Sequence, residues 1–172
     1  MSTVAVTSGL GALPSRFRRE RLLIVGYGDV GQRMARNLLT GPGAQRLRVL
    51  ALTSQAERVG SLRAQGVTPL VGNLDHAATL RRLSGLATRV VHLAPPPGEG
   101  GGGAAWWRDP RTVALARALR LRSLPVSLVY ASTSGVYGDC AGALVAETRT
   151  VAPGTPRAQR RVNAGGGVRP PG

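Results

Sequence analysis

Three glycines with a fixed spacing are the residues of this sequence that point most directly to chemistry. They belong to the pattern G-x-G-x-x-G, formed by Gly26, Tyr27, Gly28, Asp29, Val30 and Gly31. The pattern follows an apolar run at 21–25 and precedes a segment with helical periodicity, as the dinucleotide-binding fingerprint requires. The first glycine permits a tight turn, the second lets a pyrophosphate approach the backbone, and the third lets helix and strand pack closely. These six residues are candidate cofactor-binding residues, with a plain strand-to-helix turn as the alternative.

The end of the second predicted strand bears on which dinucleotide would bind. An acidic residue normally stands there and accepts hydrogen bonds from the adenosine ribose. This sequence has Thr53 and Ser54 instead, with Arg58 one turn later. Hydroxyl groups and a guanidinium suit a 2′-phosphate, so the pattern favours NADP over NAD, although Arg58 as an ordinary surface residue is the alternative.

Strand and helix patterns alternate along the chain after residue 20. The predicted strands are 21–25, 47–52, 67–71, 89–94 and 124–131, and the predicted helices are 32–39, 56–65, 77–83 and 109–122. This alternation is typical of an α/β fold with a doubly wound, Rossmann-like parallel sheet in the strand order 3-2-1-4-5. Pro69 lies in the third strand and would be tolerated at a sheet edge, where that order places it.

Three later segments, met in a fixed order, extend the pattern. They are Gly72-Asn73-Leu74-Asp75, Val91-His92-Leu93-Ala94, and the run from Val129 to Asp139 that contains Thr133-Ser134-Gly135-Val136-Tyr137-Gly138. Together with the glycine motif, they make residues 21–162 resemble the extended short-chain dehydrogenase/reductase superfamily, the group of NAD-dependent epimerases and dehydratases.

The resemblance implies roles for particular residues. Asn73 and Leu74 would flank the adenine ring, and Leu93 and Ala94 would lie along the cofactor beyond the fourth strand. Thr133 matches the hydroxyl that polarises the substrate carbonyl in the family, with three neighbouring alternatives: Ser132, Ser134 and Tyr137.

The sequence departs from the family in two places. The catalytic Tyr-x-x-x-Lys is expected around residues 157–162, but that stretch has neither residue, and the whole chain has no lysine. The C-terminal substrate portion of the family is also lacking, so we expect a C-terminally truncated member. The expected organisation is a flexible basic extension at 1–20, an NAD(P)-binding domain at 21–162 and a disordered Gly/Pro tail at 163–172.

Composition limits the remaining function classes. The 172 residues carry a formal charge of +15, from 23 arginines and eight acidic residues. One cysteine and two histidines exclude a disulfide framework and predict no metal site. The arginines are scattered and the aromatics are few, so nucleic-acid binding is not favoured. No apolar run reaches the ~20 residues of a membrane span, and we expect a cytoplasmic protein without membrane partners.

These observations leave three hypotheses for function. The first is an NAD(P)-dependent oxidoreductase or epimerase acting on a carbonyl or nucleotide-sugar-like substrate. The second is a non-catalytic dinucleotide-binding or redox-sensing module, motivated by the absent Tyr and Lys. The third is a non-specific nucleic-acid binder that acts through its arginines. A homo-oligomer is left open, and the substrate is not predicted.

Overall fold

The computed structural model describes residues 20–98 and 105–168. The strands are β1 (Glu20–Val25), β2 (Leu47–Thr53), β3 (Thr68–Val71), β4 (Arg89–His92) and β5 (Ser127–Tyr130). The α-helices are α1 (Asp29–Thr40), α2 (Val59–Ala64), α3 (Pro110–Leu119) and α4 (Pro156–Val168). Short 3₁₀ helices are η1 (Ala44–Arg46), η2 (Ala56–Arg58), η3 (Ala77–Leu83) and η4 (Ser134–Tyr137).

The five strands form one parallel sheet in the order β3-β2-β1-β4-β5. This confirms both the predicted fold class and the predicted strand order. β3 pairs only with β2 among the described strands, and Pro69 lies opposite Ala51 in that pair. Pro69 is therefore at the sheet edge, where its missing N–H leaves no ladder hydrogen bond unmade.

Both faces of the sheet are covered, which explains why the central strands are almost entirely apolar. Alternate residues of β1 point to opposite faces, so Leu23 packs with η3 and α3, whereas Ile24 packs with α1 and α2. Both side chains are completely buried. The two hydrophobic clusters hold the sheet rigid and fix the positions of the loops at its carboxyl edge.

The end of the chain differs from the predicted disordered tail at 163–172. Helix α4 continues through residues 163–168, although this stretch contains three successive glycines. Residues 169–172, and residues 1–19 of the predicted N-terminal extension, lie outside the described part of the chain, and Glu20 already belongs to β1.

Tertiary contacts explain why α4 forms where helix propensity is low. Pro156 stands at the first helical position, and the Thr155 hydroxyl accepts a hydrogen bond from the Ala158 N–H at 3.2 Å. The buried Arg160 side chain donates to the backbone carbonyl oxygens of Trp106 at 2.7 Å and Pro97 at 2.9 Å. The Thr155 contact is local, whereas the Arg160 contacts join residues 54 and 63 positions apart and leave no periodic signal in the sequence.

A buried polar chain joins β4 to the start of α3. The Thr112 hydroxyl donates to the Asp109 carboxylate at 2.5 Å, and His92 Nε2 lies 2.9 Å from the same hydroxyl oxygen. Because that hydroxyl hydrogen is used by Asp109, His92 Nε2 is the donor and Nδ1 carries the lone pair. His92 is 1% exposed, and its Nδ1 has no hydrogen-bond partner within residues 20–98 and 105–168. Burial, the largest cause, lowers the pKa of His92 to about 4.

The low pKa of His92 predicts an acid-sensitive fold. Between pH 6.5 and about 4 the unfolded chain binds a proton that the folded chain does not, so the free energy of unfolding falls as the pH is lowered through this window. The full effect is on the order of 3 kcal/mol. Urea unfolding at a series of pH values measures it. His92→Gln should remove this part of the pH dependence, whereas the matched change His76→Gln, at an exposed histidine, should retain it. Equal slopes in both variants would contradict the assignment.

Candidate functional site

A cavity of about 370 Å³ lies at the carboxyl ends of β1, β2, β3 and β4. This is the edge of a doubly wound sheet at which ligands bind. The residues that line it are Gly26, Tyr27, Gly28, Leu52, Thr53, Ser54, Gln55, Arg58, Gly72, Asn73, Leu74, Asp75, Leu93, Ala94, Pro95 and Arg111.

The turn from β1 into α1 forms one wall of this cavity and requires two of its glycines for packing. Gly26 has φ of +92°, and a Cβ atom there would lie 2.4 Å from the backbone nitrogen of Ala94. A Cβ at Gly31 would lie 3.0 Å from the Gly26 carbonyl oxygen. The roles predicted for Gly26 in the tight turn and Gly31 in helix–strand packing agree with this geometry.

Gly28 differs from the other two glycines because the packing of the turn would tolerate a side chain at this position. Its φ of −84° is ordinary, and a Cβ atom there would have no neighbour within 4 Å among the described residues. It is the N-cap of α1, and none of the described side chains caps the helix. The nearby Asp29 carboxylate instead pairs with Arg33 at 3.0 Å. The first N–H groups of α1 therefore have no hydrogen-bond partner within the helix, and they lie beside open space.

The end of β2 contributes hydroxyl groups and a guanidinium to the cavity. The Thr53 hydroxyl is already engaged, since it accepts from the Gln55 N–H at 3.2 Å, whereas Ser54 is exposed. Arg58 Nη2 donates to the Tyr27 carbonyl oxygen at 3.1 Å, which ties the start of α2 to the glycine turn. Burial, the largest cause, raises the pKa of the Tyr27 phenol, so this ring is a neutral wall of the cavity.

Arg111 and Asp75 form an ion pair in the cavity wall that sequence reasoning missed. Arg111 Nε and Nη2 each donate to one Asp75 carboxylate oxygen at 2.7 Å, and Nη1 donates to the Pro95 carbonyl oxygen at 3.1 Å. This bidentate contact lowers the pKa of Asp75 and raises that of Arg111. One side chain of α3 thus joins the loops after β3 and β4, which are 36 and 16 residues away in sequence. Only the tertiary fold reveals this pairing.

The cavity brings together all but three of the residues predicted to bind a cofactor. The exceptions are Asp29, Val30 and Gly31, which lie in the first turn of α1 and do not line the cavity. Asn73, Leu74, Leu93 and Ala94, whose roles rested on family resemblance, line it with the glycine turn. The Asn73 side-chain oxygen accepts from the Asp75 N–H at 2.9 Å, which orients the loop after β3.

The candidate catalytic residues lie elsewhere. Ser132, Thr133 and Ser134 are exposed in the loop after β5, and Tyr137 is half-buried at the end of η4. None of the four lines the cavity. Helix α4 packs beside this loop, and Arg161 Nη1 donates to the Ala131 carbonyl oxygen at 2.6 Å. The stretch at 157–162, where the family's Tyr-x-x-x-Lys pair was expected, lies in α4 and carries arginines in its place.

In the described parts of the chain, no three His, Cys, Asp or Glu side chains are grouped so as to hold a metal ion. Nor does any described helix have the length and apolarity needed to cross a bilayer.

Comparison with known proteins places this geometry among related folds. Residues 22–94 match the family model of the TrkA-N domain, and no curated protein matches the chain. A conserved protein of unknown function from Silicibacter pomeroyi is 25% identical, with a TM-score of 0.62, over 86% of this chain and 46% of its own. A short-chain dehydrogenase/reductase superfamily protein from Agrobacterium tumefaciens with bound NAD is 20% identical, with a TM-score of 0.64, over 86% and 43%. UDP-glucuronic acid 4-epimerase from Bacillus cereus, in complex with NAD, is 21% identical, with a TM-score of 0.63, over 85% and 50%.

The chain shares its parallel α/β fold with these solved structures, so the fold expected from the sequence is confirmed. The chain spans about half the length of the solved structures that it matches.

Gly26 and Gly28 should respond differently to substitution by alanine. Gly26→Ala introduces a side chain at a positive φ and against the backbone of Ala94, which should cost roughly 3 kcal/mol of unfolding free energy. Gly28→Ala is the matched control and should cost less than about 1 kcal/mol, because its Cβ would meet open space. Urea midpoints at constant slope measure both values. Equal losses at the two positions would refute the geometry described for the turn.

Proposed function

We propose that the cavity binds a nicotinamide dinucleotide, with its pyrophosphate at the start of α1. One observation carries the proposal: at Gly28, an uncapped helix N-terminus meets open space at the carboxyl edge of a parallel sheet. Helix N–H groups and the positive end of the helix dipole favour phosphate oxygens there. A side chain at position 28 would block the approach of a phosphate group. The packing of the fold does not by itself require a glycine at this position.

The rest of the cavity fits the two ends of such a cofactor. Asn73 and Leu74 provide an amide and an apolar surface after β3, which suits an adenine ring, while Leu93 and Ala94 extend the wall after β4. The Arg111–Asp75 pair holds these two loops together. When bound, the nicotinamide ring would supply the capacity to accept or donate a hydride.

The proposed choice of cofactor is NADP(H) over NAD(H). Neither of the first two acidic side chains that follow β2 in sequence is available to accept hydrogen bonds from the adenosine ribose. Glu57 is outside the cavity lining, and Asp75 is paired with Arg111. Exposed Ser54 and the remaining donors of the Arg58 guanidinium are available to a 2′-phosphate.

A second candidate function is dinucleotide binding without chemistry. Two observations favour it: Thr133 and its neighbours lie outside the cavity lining, and α4 offers Arg160 and Arg161, whose guanidiniums already hold backbone carbonyls. A positioned acid–base group contributes about 10²–10⁴-fold to rate. We therefore expect cofactor binding without measurable turnover of nucleotide sugars or small carbonyls, and turnover that disappears in Thr133→Ala would favour the oxidoreductase or epimerase hypothesis.

Gly28→Val tests the proposed cofactor site. Its branched side chain would occupy the space in front of α1, so binding of NADPH, followed by its fluorescence, should be lost. The thermal unfolding midpoint should stay close to that of the parent chain, because a Cβ atom at position 28 would have no described atom within 4 Å. Unchanged NADPH binding by the folded variant would show that the phosphates bind elsewhere.

Arg58→Ala tests the choice of cofactor. Loss of a charge-assisted contact to a 2′-phosphate costs about 1.5–3 kcal/mol, so NADPH affinity measured by calorimetry should fall about ten- to a hundredfold. NADH affinity should change little, which also controls for any disturbance of the Tyr27 carbonyl contact. Arg63→Ala, an exposed arginine of α2 outside the cavity, controls for the general loss of charge. If the parent chain binds NADH as tightly as NADPH, the proposed preference is wrong.

A further inference from the structure

A second cavity, of about 300 Å³, lies between α3 and α4 and shares no lining residue with the dinucleotide cavity. Its apolar lining includes Val113 and Ala116 from α3 and Ala164 from α4. Its polar lining includes three guanidinium groups, those of Arg108, Arg117 and Arg120. We refer to it as the α3–α4 groove.

The guanidiniums of the three groove arginines have no ion-pair or hydrogen-bond partner in the described chain. None of them forms an ion pair with a described acidic residue, and none of their guanidiniums donates a hydrogen bond to a described group. Arg117 is in the last turn of α3 and Arg120 is the C-cap residue three positions later, so the two lie on neighbouring positions of the helix surface. Like charges so close together repel, and an anion between them would relieve that repulsion.

Asp109, the single carboxylate that lines the groove among the described residues, does not neutralise this charge. Asp109 is 3% exposed, and its two oxygens accept hydrogen bonds from the Arg111 N–H at 3.0 Å and from the Thr112 hydroxyl at 2.5 Å. Its charge is directed into the start of α3. The groove therefore contains three guanidiniums and one carboxylate whose oxygens are already hydrogen-bonded, and its net charge is positive.

An aromatic surface and a fixed amide complete the groove. Arg108 lies over the Trp107 ring, 4.7 Å from its centroid, in a cation–π contact. Asn163 of α4 donates its side-chain N–H to the Trp107 carbonyl oxygen at 3.2 Å, which holds the indole-bearing segment against α4. Trp107 nevertheless remains 36% exposed, so an aromatic surface is available beside the guanidiniums.

We propose that the α3–α4 groove binds a small organic anion with a flat, apolar body and a phosphate or carboxylate group. The apolar wall and Trp107 would take the body of the ligand, and Arg117 and Arg120 would take its charge. The volume lies at the lower end of the range of ligand pockets, which favours a single-ring or two-ring molecule over a dinucleotide.

Intrinsic fluorescence can test this proposal directly. Trp106 and Trp107 are the two tryptophans of the chain, and Trp106 does not line the groove, so Trp106→Phe leaves Trp107 as the reporter. The probe is 1-naphthyl phosphate, and uncharged 1-naphthol is its control. We expect saturable quenching by the phosphate and at least tenfold weaker binding of the naphthol.

Two matched double variants separate a specific site from general attraction to a basic protein. Arg117→Gln with Arg120→Gln should weaken binding of 1-naphthyl phosphate about tenfold or more, since charge-assisted contacts are lost. Arg46→Gln with Arg63→Gln removes the same charge from exposed positions outside the groove and should change affinity less than about twofold. Circular dichroism checks that both variants fold.

Three results would overturn the proposal. They are the absence of saturable quenching, equal weakening in the two double variants, and equal affinity for the phosphate and the naphthol. Gly28→Val is a further arm and should bind the probe normally, because the groove is separate from the dinucleotide cavity. Loss of probe binding in Gly28→Val would place the probe in the dinucleotide cavity and would likewise refute the groove.

Discussion

The β1–α1 turn passes so close to the end of β4 that position 26 has no room for a side chain. A Cβ atom on Gly26 would come within 2.4 Å of the Ala94 nitrogen, and the left-handed backbone at φ +92° makes the turn possible. The Ala94 N–H itself donates to the Val25 carbonyl oxygen at 3.0 Å, which closes the contact between the two strands. This approach determines where α1 starts, and hence where its free N–H groups stand.

The carboxyl edge of the sheet is positively charged because the chain has few acidic residues. With 23 arginines and eight acids, most guanidiniums cannot find a carboxylate, and several bind backbone carbonyls instead. Arg58 binds the Tyr27 carbonyl, Arg82 that of Val71, Arg111 that of Pro95 and Arg161 that of Ala131. All four carbonyls belong to strand ends or to the loops that follow them. A guanidinium offers several donors at once, so these arginines can brace the loops and still present positive charge where phosphates would bind.

The sequence predicted the fold well where local patterns determine it. The apolar runs of β1 and β2, the glycine motif, and the placement of Pro69 at an edge were each readable from neighbouring residues. Helix α4 was missed because it depends on Arg160 and Asn163, whose partners are more than fifty residues away. The glycines of residues 165–167 favour disorder locally, and only these distant contacts outweigh that preference.

The candidate site was predictable to a similar degree. Residues that follow β1, β2, β3 and β4 meet in one cavity because parallel strands end at the same edge. The Arg111–Asp75 pair was not predictable, because in a chain with so many arginines no local signal marks one as the partner of a given acid. The catalytic role of Thr133 stays a prediction: the residue is exposed in the loop after β5, outside the cavity lining.

Backbone amide shifts during an NADPH titration test the central claim most directly. In a ¹⁵N-labelled chain, the account predicts that the largest changes fall on the amides of Gly28, Val30 and Gly31 at the start of α1. Smaller changes should follow at Ser54, Asn73 and Ala94 around the cavity. Changes confined to α3 and α4, or no saturable change at the start of α1, would contradict the account.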